Sequence, residues 1–168
     1  MHSCRERRIV TIKWSLCLIF CLSNSILVIA KDLCLPDQRG ALWEFKNEFY
    51  IQRPNWRNNT DCCSWNGVSC DPKTGKVVEL DLEDSSLNGP LRSNSSLFRL
   101  QHLQSLNLAY NNLLGTLPDS IGNLTNLKVL SLVDCNLFGK IPSSLGSLSY
   151  LAYFFFFYSK HTIKMIFR

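Results

Sequence analysis

Apolar residues recur through the second half of the chain in one fixed pattern. The unit reads L-x-x-L-x-L-x-x-N-x-L-x-G-x-I/L-P, and successive copies begin 26 and then 24 residues apart. A single amphipathic strand can imitate one copy, but three copies in register indicate a repeat architecture. The three copies consist of Val77, Leu80, Leu82, Ser85, Leu87, Gly89 and Leu91; of Leu103, Leu106, Leu108, Asn111, Leu113, Gly115, Leu117 and Pro118; and of Leu127, Leu130, Leu132, Cys135, Leu137, Gly139, Ile141 and Pro142.

The chemistry of the unit predicts its shape. L-x-L is a short strand whose two leucines enter the core, while the residues between and beside them face solvent. Glycine permits the turn that follows, and proline fixes an extended connection without donating a hydrogen bond. One unit cannot bury its apolar side alone, so the copies must stack. We therefore predict an α/β solenoid, a right-handed superhelix whose parallel strands form one sheet with an open concave face.

The ninth position of the unit usually holds asparagine, whose side chain satisfies backbone groups in the turn. Here it is Ser85, Asn111 and Cys135. Only one of the three is a strong donor and acceptor, so we predict a thin hydrogen-bond ladder. Cys135 is interpreted as a small buried residue in this slot, because a free cysteine packs as a small hydrophobe.

The exposed end of a solenoid needs a cap, and residues 31–75 are predicted to provide it at the N-terminal end. Helical spacing predicts a helix from about Asp37 to Tyr50. Trp56 and Trp65 are interpreted as core residues of the cap. Val68–Cys70 reads as a short strand, and the turn that follows leads into the first repeat. The apolar positions of the helix are Leu42, Phe45 and Phe49.

The N-terminal segment is organised differently from the rest of the chain. A basic region precedes an apolar run at Trp14–Leu22. This layout predicts a cleaved signal peptide at residues 1–30, with Lys31 as the mature start. The alternative is an uncleaved anchor helix. It is disfavoured because polar residues 23–25 interrupt the run, whereas a spanning helix needs about 20 apolar residues. We therefore expect no transmembrane helix in the mature chain.

Charge and composition exclude several classes of function. The formal net charge is +5, and residues 1–30 hold four basic residues and one acid. Removal of this segment takes away a charge of +3 and gives the mature chain a net charge of +2. So small an excess does not indicate a nucleic-acid or membrane-surface partner. The histidines His2, His102 and His161 form no cluster, and no phosphate loop, nucleophile elbow or kinase signature occurs. We expect no enzyme activity, no cofactor and no metal.

Eight cysteines are present, and a secretory context favours disulfides for those in the cap. The cap cysteines are Cys34, Cys62, Cys63 and Cys70, whose spacing does not suit zinc. Adjacent Cys62 and Cys63 are not expected to bond to each other, which leaves two pairings open. We favour Cys34 with Cys62 and Cys63 with Cys70.

Two further sets of residues are predicted to be functional. Three Asn-x-Ser/Thr sequons predict N-glycans at Asn58, Asn94 and Asn123, all in predicted loops. The solvent positions of each repeat strand, on the predicted concave face, are candidate ligand-binding residues, although the acidic group can also be interpreted as a solvated edge. The candidates are Glu79, Asp81, Glu83, Asp84, Asn107, Tyr110, Val133 and Asp134.

The most specific segments of the chain are Cys34, Asp37–Arg39, Phe45–Phe49, Asp61–Asp71, Gly115–Pro118 and Gly139–Pro142. Together they resemble the N-terminal cap and plant-type leucine-rich repeats of plant receptor-like proteins, and the resemblance covers about residues 31–153. It implies the disulfide pairing favoured above. It also implies a cell-surface ectodomain that senses microbial or peptide signals in defence or development. Proteins of this family carry no kinase of their own, so the resemblance also implies that they act with partner receptor kinases.

The end of the chain departs from the family pattern, which includes many more repeats, a C-terminal cap and a membrane helix. After three repeats at 76–150, a fourth copy begins at Leu151 and then fails, because His161 and Ile163 stand where leucine and glycine belong. We expect residues 151–168 to be an aborted fourth repeat with an irregular tail, and the chain to be a truncated form.

The sequence therefore predicts an extracellular or cell-surface recognition module that enters the secretory pathway. Its expected partners are a peptide or protein ligand and a receptor-kinase co-receptor. One alternative is a secreted inhibitor of cell-wall hydrolases resembling polygalacturonase-inhibiting proteins, although about ten repeats are typical of those. The other alternative is a nonfunctional fragment, because three repeats are the minimum for a stable array.

Overall fold

A computed structural model describes residues 33–49, 56–158 and 161–166 of the chain, and their side chains as far as residue 156. The predicted signal peptide at residues 1–30 and the cleavage before Lys31 lie outside the described residues. Within the part of the chain that is described, no helix combines the length and the apolar character that a membrane crossing requires.

The N-terminal cap is built around helix α1, Pro36–Phe49. Proline suits a helix start, where the N–H that it lacks would have no partner, and Asp37 in the first turn complements the helix dipole. The rings of Trp56 and Trp65 stack with their centroids 5.0 Å apart, and both are almost completely buried. The predicted helix and the predicted core role of the two tryptophans are confirmed. The buried residues of the helix are Gln38, Ala41, Leu42, Phe45 and Phe49.

One sheet of six strands runs through the described residues, in the order of the chain. The strands are β1 Val68–Cys70, β2 Val77–Asp81, β3 Ser105–Asn107, β4 Val129–Leu132, β5 Tyr153–Tyr158 and β6 His161–Ile166. Strands β2 to β5 are parallel, and β1 and β6 pair antiparallel at the two ends. Parallel neighbours one repeat apart are what a stacked repeat requires, so the predicted solenoid is confirmed.

The core of the repeats lies on one side of this sheet. Leu80, Leu106, Leu130 and Phe154 face one another across four strands, and each is 0% exposed. Full burial of one such side chain contributes about 1.5–3 kcal/mol, so the row is a main source of stability. The chain returns between strands through the 3-10 helices Ser96–Arg99, Asp119–Asn123 and Ser143–Ser147.

Polar contacts join helix α1 to the first of these 3-10 helices. Glu48 Oε1 accepts hydrogen bonds from both the backbone N–H and the hydroxyl of Ser96, each at 2.8 Å. Arg99 forms a salt bridge of 2.6 Å with Glu44. The cap is therefore fastened to the first repeat on this side by its own acidic residues.

Asn111 forms the predicted hydrogen-bond ladder nearly alone. Its Oδ1 accepts from the N–H groups of Ser85 and Leu87, and its Nδ2 lies 2.8 to 3.0 Å from three backbone carbonyl oxygens, which are those of Leu82, Leu108 and Ala109. In the next slot, the Cys135 thiol donates to the carbonyl of Leu108 at 2.9 Å. One asparagine thus satisfies backbone groups of two repeats, and the prediction of a thin ladder is confirmed.

The expectation of an irregular tail is wrong for residues 161–166. They form β6, which pairs antiparallel with β5 from Tyr153↔Ile166 to Tyr158↔His161. Thr162, Ile163 and Ile166 have the β-branched side chains that favour strands, and β5 offers a row of backbone groups for pairing. The segment lacks the repeat pattern, yet its strand propensity and an available sheet edge suffice for a hairpin.

Candidate functional site

The exposed face of the parallel sheet carries the side chains that alternate with the buried leucines. We call these residues the sheet face. Along it the chemistry changes in one direction, from carboxylates on β2, through amide and hydroxyl groups, to aromatic rings on β5. The sheet face consists of Glu79, Asp81 and Glu83; Ser105 and Asn107; Val129 and Ser131; and Tyr153 and Phe155.

The acidic end of the sheet face is ordered by local hydrogen bonds. Asp81 Oδ1 accepts from the N–H of Glu83 at 3.1 Å, and Glu83 Oε2 accepts from Asn107 Nδ2 at 2.9 Å. Glu79, Asp81 and Glu83 are all exposed. Three carboxylates within one strand and its continuation make this end attractive to a cation.

The aromatic end presents two parallel rings. Tyr153 and Phe155 stack with centroids 6.4 Å apart and an interplanar angle of 7°. Tyr153 is 45% exposed. Rings held in this way offer a large apolar contact area with little rotamer entropy to lose.

Asp84, Tyr110 and Asp134 lie apart from the sheet face, in the turns after the strands. Each directly precedes the ninth position of its repeat unit, which is Ser85, Asn111 or Cys135. Each has left-handed backbone geometry, with φ of 47°, 55° and 52°. A bulky residue such as tyrosine rarely adopts this conformation, and Tyr110 is also 52% exposed. Val133 is half-buried beside Asp134.

A groove of about 500 Å³ opens at these turns. A chain of side-chain amides runs along it: Asn136 Nδ2 donates to Asn112 Oδ1 at 2.8 Å, and Asn112 Nδ2 donates to Asn88 Oδ1 at 2.7 Å. The groove therefore offers an ordered row of polar groups beside the Tyr110 ring. Its lining residues are Ser86, Leu87, Asn88, Tyr110, Asn111, Asn112, Asp134 and Asn136.

The structure thus divides the predicted ligand-binding residues into two groups. Glu79, Asp81, Glu83 and Asn107 are together on the sheet face, while Tyr110 and Asp134 line the groove. Asp84 and Val133 lie in turns after the strands and do not line the groove, and the ligand-binding role of all eight stays a prediction.

The asparagines along the groove, Asn88, Asn112 and Asn136, were not predicted from the sequence as candidate binding residues. Asn112 and Asn136 both directly follow the ladder slot, a shared position that identifies them in retrospect. Asn88 stands two residues later in its own repeat, so aligning the repeats does not group it with the other two. Only the register between neighbouring turns, in which Asn88 pairs with Asn112, brings it into the row.

The favoured disulfide pairing is present in the cap. Cys34 is bonded to Cys62, and Cys63 to Cys70, with Cα–Cα distances of 5.5 Å in both. The Sγ atoms of Cys34, Cys62 and Cys63 lie within 4.8 Å of one another. All three are consumed in disulfides, so they offer no thiolate to a metal ion.

Cys135 is the free cysteine among the described residues, and it is 2% exposed. Burial raises the pKa of its thiol to about 12, and the nearby Asp134 carboxylate acts in the same direction. Because the thiolate is the reactive form, this cysteine is chemically inert in the folded chain.

The three sequon asparagines, Asn58, Asn94 and Asn123, are all exposed. Asn58 and Asn94 lie in turns, as expected. The expectation of a loop is wrong for Asn123, which is the last residue of the 3-10 helix Asp119–Asn123. The preceding proline at position 118 supplies the extended backbone from which that short helix starts.

Family models match both structural parts of the chain. The model described as "Leucine rich repeat N-terminal domain" matches residues 35–71, and the model described as "Leucine Rich Repeat" matches residues 102–124 and 126–148. The chain is 75% identical over 134 residues to Receptor-like protein 48 of Arabidopsis thaliana, an alignment covering 73% of this chain. The chain spans 16% of the length of that relative.

Solved structures agree with this assignment. The ectodomain of the Arabidopsis receptor kinase HAESA, in complex with an N-terminally extended IDA peptide hormone, is 34% identical, with a TM-score of 0.60 over 68% of this chain and 19% of that one. A second HAESA structure, with IDA and the co-receptor SERK1, is 32% identical, with a TM-score of 0.51 over 70% of this chain and 24% of that one. The cap with its two disulfides, the repeats and these likenesses agree: the chain belongs to the plant leucine-rich-repeat receptor-like proteins, whose N-terminal cap and first repeats it carries.

Proposed function

We propose that this chain is part of an extracellular recognition module that binds a peptide or protein ligand in defence or developmental signalling. The observation that carries the proposal is the sheet face. Buried leucines, and phenylalanines on β5, fix four parallel strands rigidly, and the side chains that alternate with them point outward. A rigid scaffold with variable outward side chains is suited to recognition, because little conformational entropy is lost on binding.

The gradient of chemistry along the sheet face favours a particular kind of ligand. Carboxylates at Glu79, Asp81 and Glu83 favour a basic group, and the Tyr153 and Phe155 rings favour an apolar one. Between them, Asn107 and Ser131 offer hydrogen bonds to a polar backbone. We infer an extended peptide or loop that crosses the strands with a basic residue near β2 and an apolar residue near β5.

The family and the cap support a location at the cell surface. Disulfides such as Cys34–Cys62 form and persist in oxidising compartments of the secretory pathway and outside the cell. The similar HAESA ectodomain binds a peptide hormone together with a co-receptor. By analogy, we infer that a receptor-kinase co-receptor joins the complex of this module, with no chemistry catalysed by the module itself.

The test uses the secreted full chain and a panel of synthetic peptides of about 12 residues, in which the positions of lysine, leucine and phenylalanine are varied. Binding is measured by interferometry. The test variant combines Asp81→Asn with Glu83→Gln, changes that keep the acceptor for the Glu83 N–H. The matched control combines Asp37→Asn with Asp119→Asn, which removes the same charge outside the sheet.

We expect peptides with separated basic and apolar residues to bind, and the test variant to weaken their binding by about tenfold, since two exposed charge contacts are each worth up to about 1 kcal/mol. The control should change binding less than twofold, and added salt should weaken binding to the unaltered chain. A panel without any binder, or equal loss in the control, contradicts the proposal. Inhibition of a purified polygalacturonase by the same sample would instead favour the hydrolase-inhibitor alternative.

A further inference from the structure

The three sequons differ in the state of their third residue. The motif requires a serine or threonine there, so the enzyme that attaches the glycan must reach that hydroxyl group. The relevant hydroxyls belong to Thr60, Ser96 and Thr125. In the folded chain, the hydroxyls of Thr60 and Ser96 form hydrogen bonds with cap residues, whereas the hydroxyl of Thr125 is exposed to solvent.

The Thr60 hydroxyl takes part in two hydrogen bonds within the cap. Its Oγ1 donates a hydrogen bond to the carbonyl of Arg57 at 2.8 Å and accepts one from Trp65 Nε1 at 2.8 Å. The Trp65 side chain is 2% exposed and lies in the loop closed by the Cys63–Cys70 disulfide. The half-buried hydroxyl of the Asn58 sequon therefore supports a buried tryptophan of the cap.

Ser96 is held by helix α1. It is 5% exposed, and both its N–H and its hydroxyl donate to Glu48 Oε1. Asn94 itself is exposed two residues earlier. An enzyme that approaches Asn94 in the folded chain thus finds the hydroxyl buried at the joint between cap and first repeat.

Thr125 is different. Its side chain is exposed in a turn, and among the described residues none forms a hydrogen bond with its hydroxyl. The neighbouring Asn123 is exposed as well. This sequon lies between the second and third repeats, away from the cap.

We propose that cap folding and N-glycosylation compete for the same hydroxyl groups, so that Asn58 and Asn94 accept a glycan only before the cap has folded, whereas Asn123 accepts one in the folded chain. In the reaction, the Asn Nδ2 attacks C1 of an oligosaccharide linked to a lipid pyrophosphate. An N–C bond forms, the C1–O bond breaks, and the lipid pyrophosphate leaves with that electron pair. One amide proton is released, and no oxidant or reductant is needed.

The order of events then follows from chain order. Thr60 precedes Cys62 by two residues, so closure of the Cys34–Cys62 disulfide brings the Asn58 sequon directly into the folded cap. Ser96 becomes blocked when helix α1 docks on it. A chain whose cap folds quickly leaves these two asparagines unmodified, while the state of Asn123 does not depend on the cap.

The experiment presents two forms of the full chain to purified oligosaccharyltransferase with a lipid-pyrophosphate-linked oligosaccharide. One form is made in the bacterial periplasm and is folded, oxidised and free of glycan. The other is the same material after reduction, unfolding and alkylation of its cysteines, so that the cap cannot reform. Mass spectrometry of the peptides gives the modification rate at each asparagine.

We expect Asn58 and Asn94 to react at least about tenfold more slowly in the folded form, because the reactive state requires local opening of the cap. Asn123 should react in both forms at rates within about threefold, and it serves as the control in the same molecule. Comparable rates at Asn58 and Asn94 in the two forms would overturn the proposal. So would failure of either site to react in the alkylated chain, or failure of Asn123 in the folded one.

Discussion

The side-chain oxygen of Gln38 accepts a hydrogen bond from the backbone N–H of Val77 at 2.6 Å. Gln38 is 5% exposed in helix α1, and Val77 begins strand β2, 39 positions later. A buried polar side chain is costly unless it is paired, and a buried N–H without an acceptor is equally so. This one bond therefore satisfies both groups and fixes the first repeat strand against the cap.

Replacing Gln38 with leucine should destabilise the chain by about 1–3 kcal/mol, because the Val77 N–H keeps its burial and loses its acceptor. Urea unfolding followed by tryptophan fluorescence measures the loss. Gln101→Leu alters an exposed glutamine and should change the free energy of unfolding by less than about 0.5 kcal/mol. Equal losses in the two variants would show that the bond does not stabilise the fold.

Gly67→Ala should destabilise the fold by about 2 kcal/mol or more, since its φ of +80° is a left-handed conformation and the added Cβ would overlap the carbonyl oxygen of Asp81. Gly40→Ala is the matched control. Gly40 lies within helix α1, where a Cβ meets nothing within 4 Å, so alanine should stabilise the chain by about 0.5–1 kcal/mol. Opposite signs in thermal unfolding support this interpretation, and the same sign for both would contradict it.

Asn111→Ala should lower the free energy of unfolding by about 3 kcal/mol. The change leaves several buried backbone groups of two repeats without hydrogen-bond partners, and each of these costs about 1 kcal/mol or more. Asn126→Ala removes a single amide contact to the Gln101 carbonyl and should cost less than about 1 kcal/mol. Equilibrium denaturation of both variants gives the difference. A small effect at Asn111 would mean that water replaces its hydrogen bonds.

Because of the buried Cys135 thiol, the free energy of unfolding should decrease at alkaline pH. Burial raises the pKa of its thiol from a usual 9.0 to about 12, so the unfolded chain loses this proton at a lower pH than the folded chain does. The contribution of this thiol to the free energy of unfolding is fully present below about pH 9. It declines by about 1.4 kcal/mol per pH unit as the pH rises toward 12. Urea unfolding between pH 8 and 10 should therefore show a shallower decline in Cys135→Ala than in the unaltered chain. Parallel declines would contradict the shift.

The repeat and the cap were predictable because their signals are local. A leucine at a fixed offset specifies a strand and a buried side chain, and the adjacency of Cys62 and Cys63 disfavours one of the three disulfide pairings. Residue type and spacing therefore predict the parallel sheet and helix α1, whereas they left two disulfide pairings open, of which the favoured one is present.

Other features depend on register and on contacts across long separations. Gln38 meets Val77, and Glu48 meets Ser96, across 39 and 48 positions, and no local pattern pairs them. The groove asparagine Asn88 is out of alignment with its partners. Strand β6 forms because β5 offers an edge, which a search for repeats does not detect.

The left-handed backbone at Asp84, Tyr110 and Asp134 also governs how this surface can change by mutation. A substitution to valine, isoleucine or threonine there costs about 1–2 kcal/mol, whereas exchange among aspartate, asparagine and glycine costs little. These turn positions can therefore diversify mainly in charge, at constant backbone shape. Extended positions such as Val129 and Ser131 accept β-branched residues and can vary in size as well. The turns and the sheet face thus have unequal sets of tolerated residues from which a new ligand preference can arise.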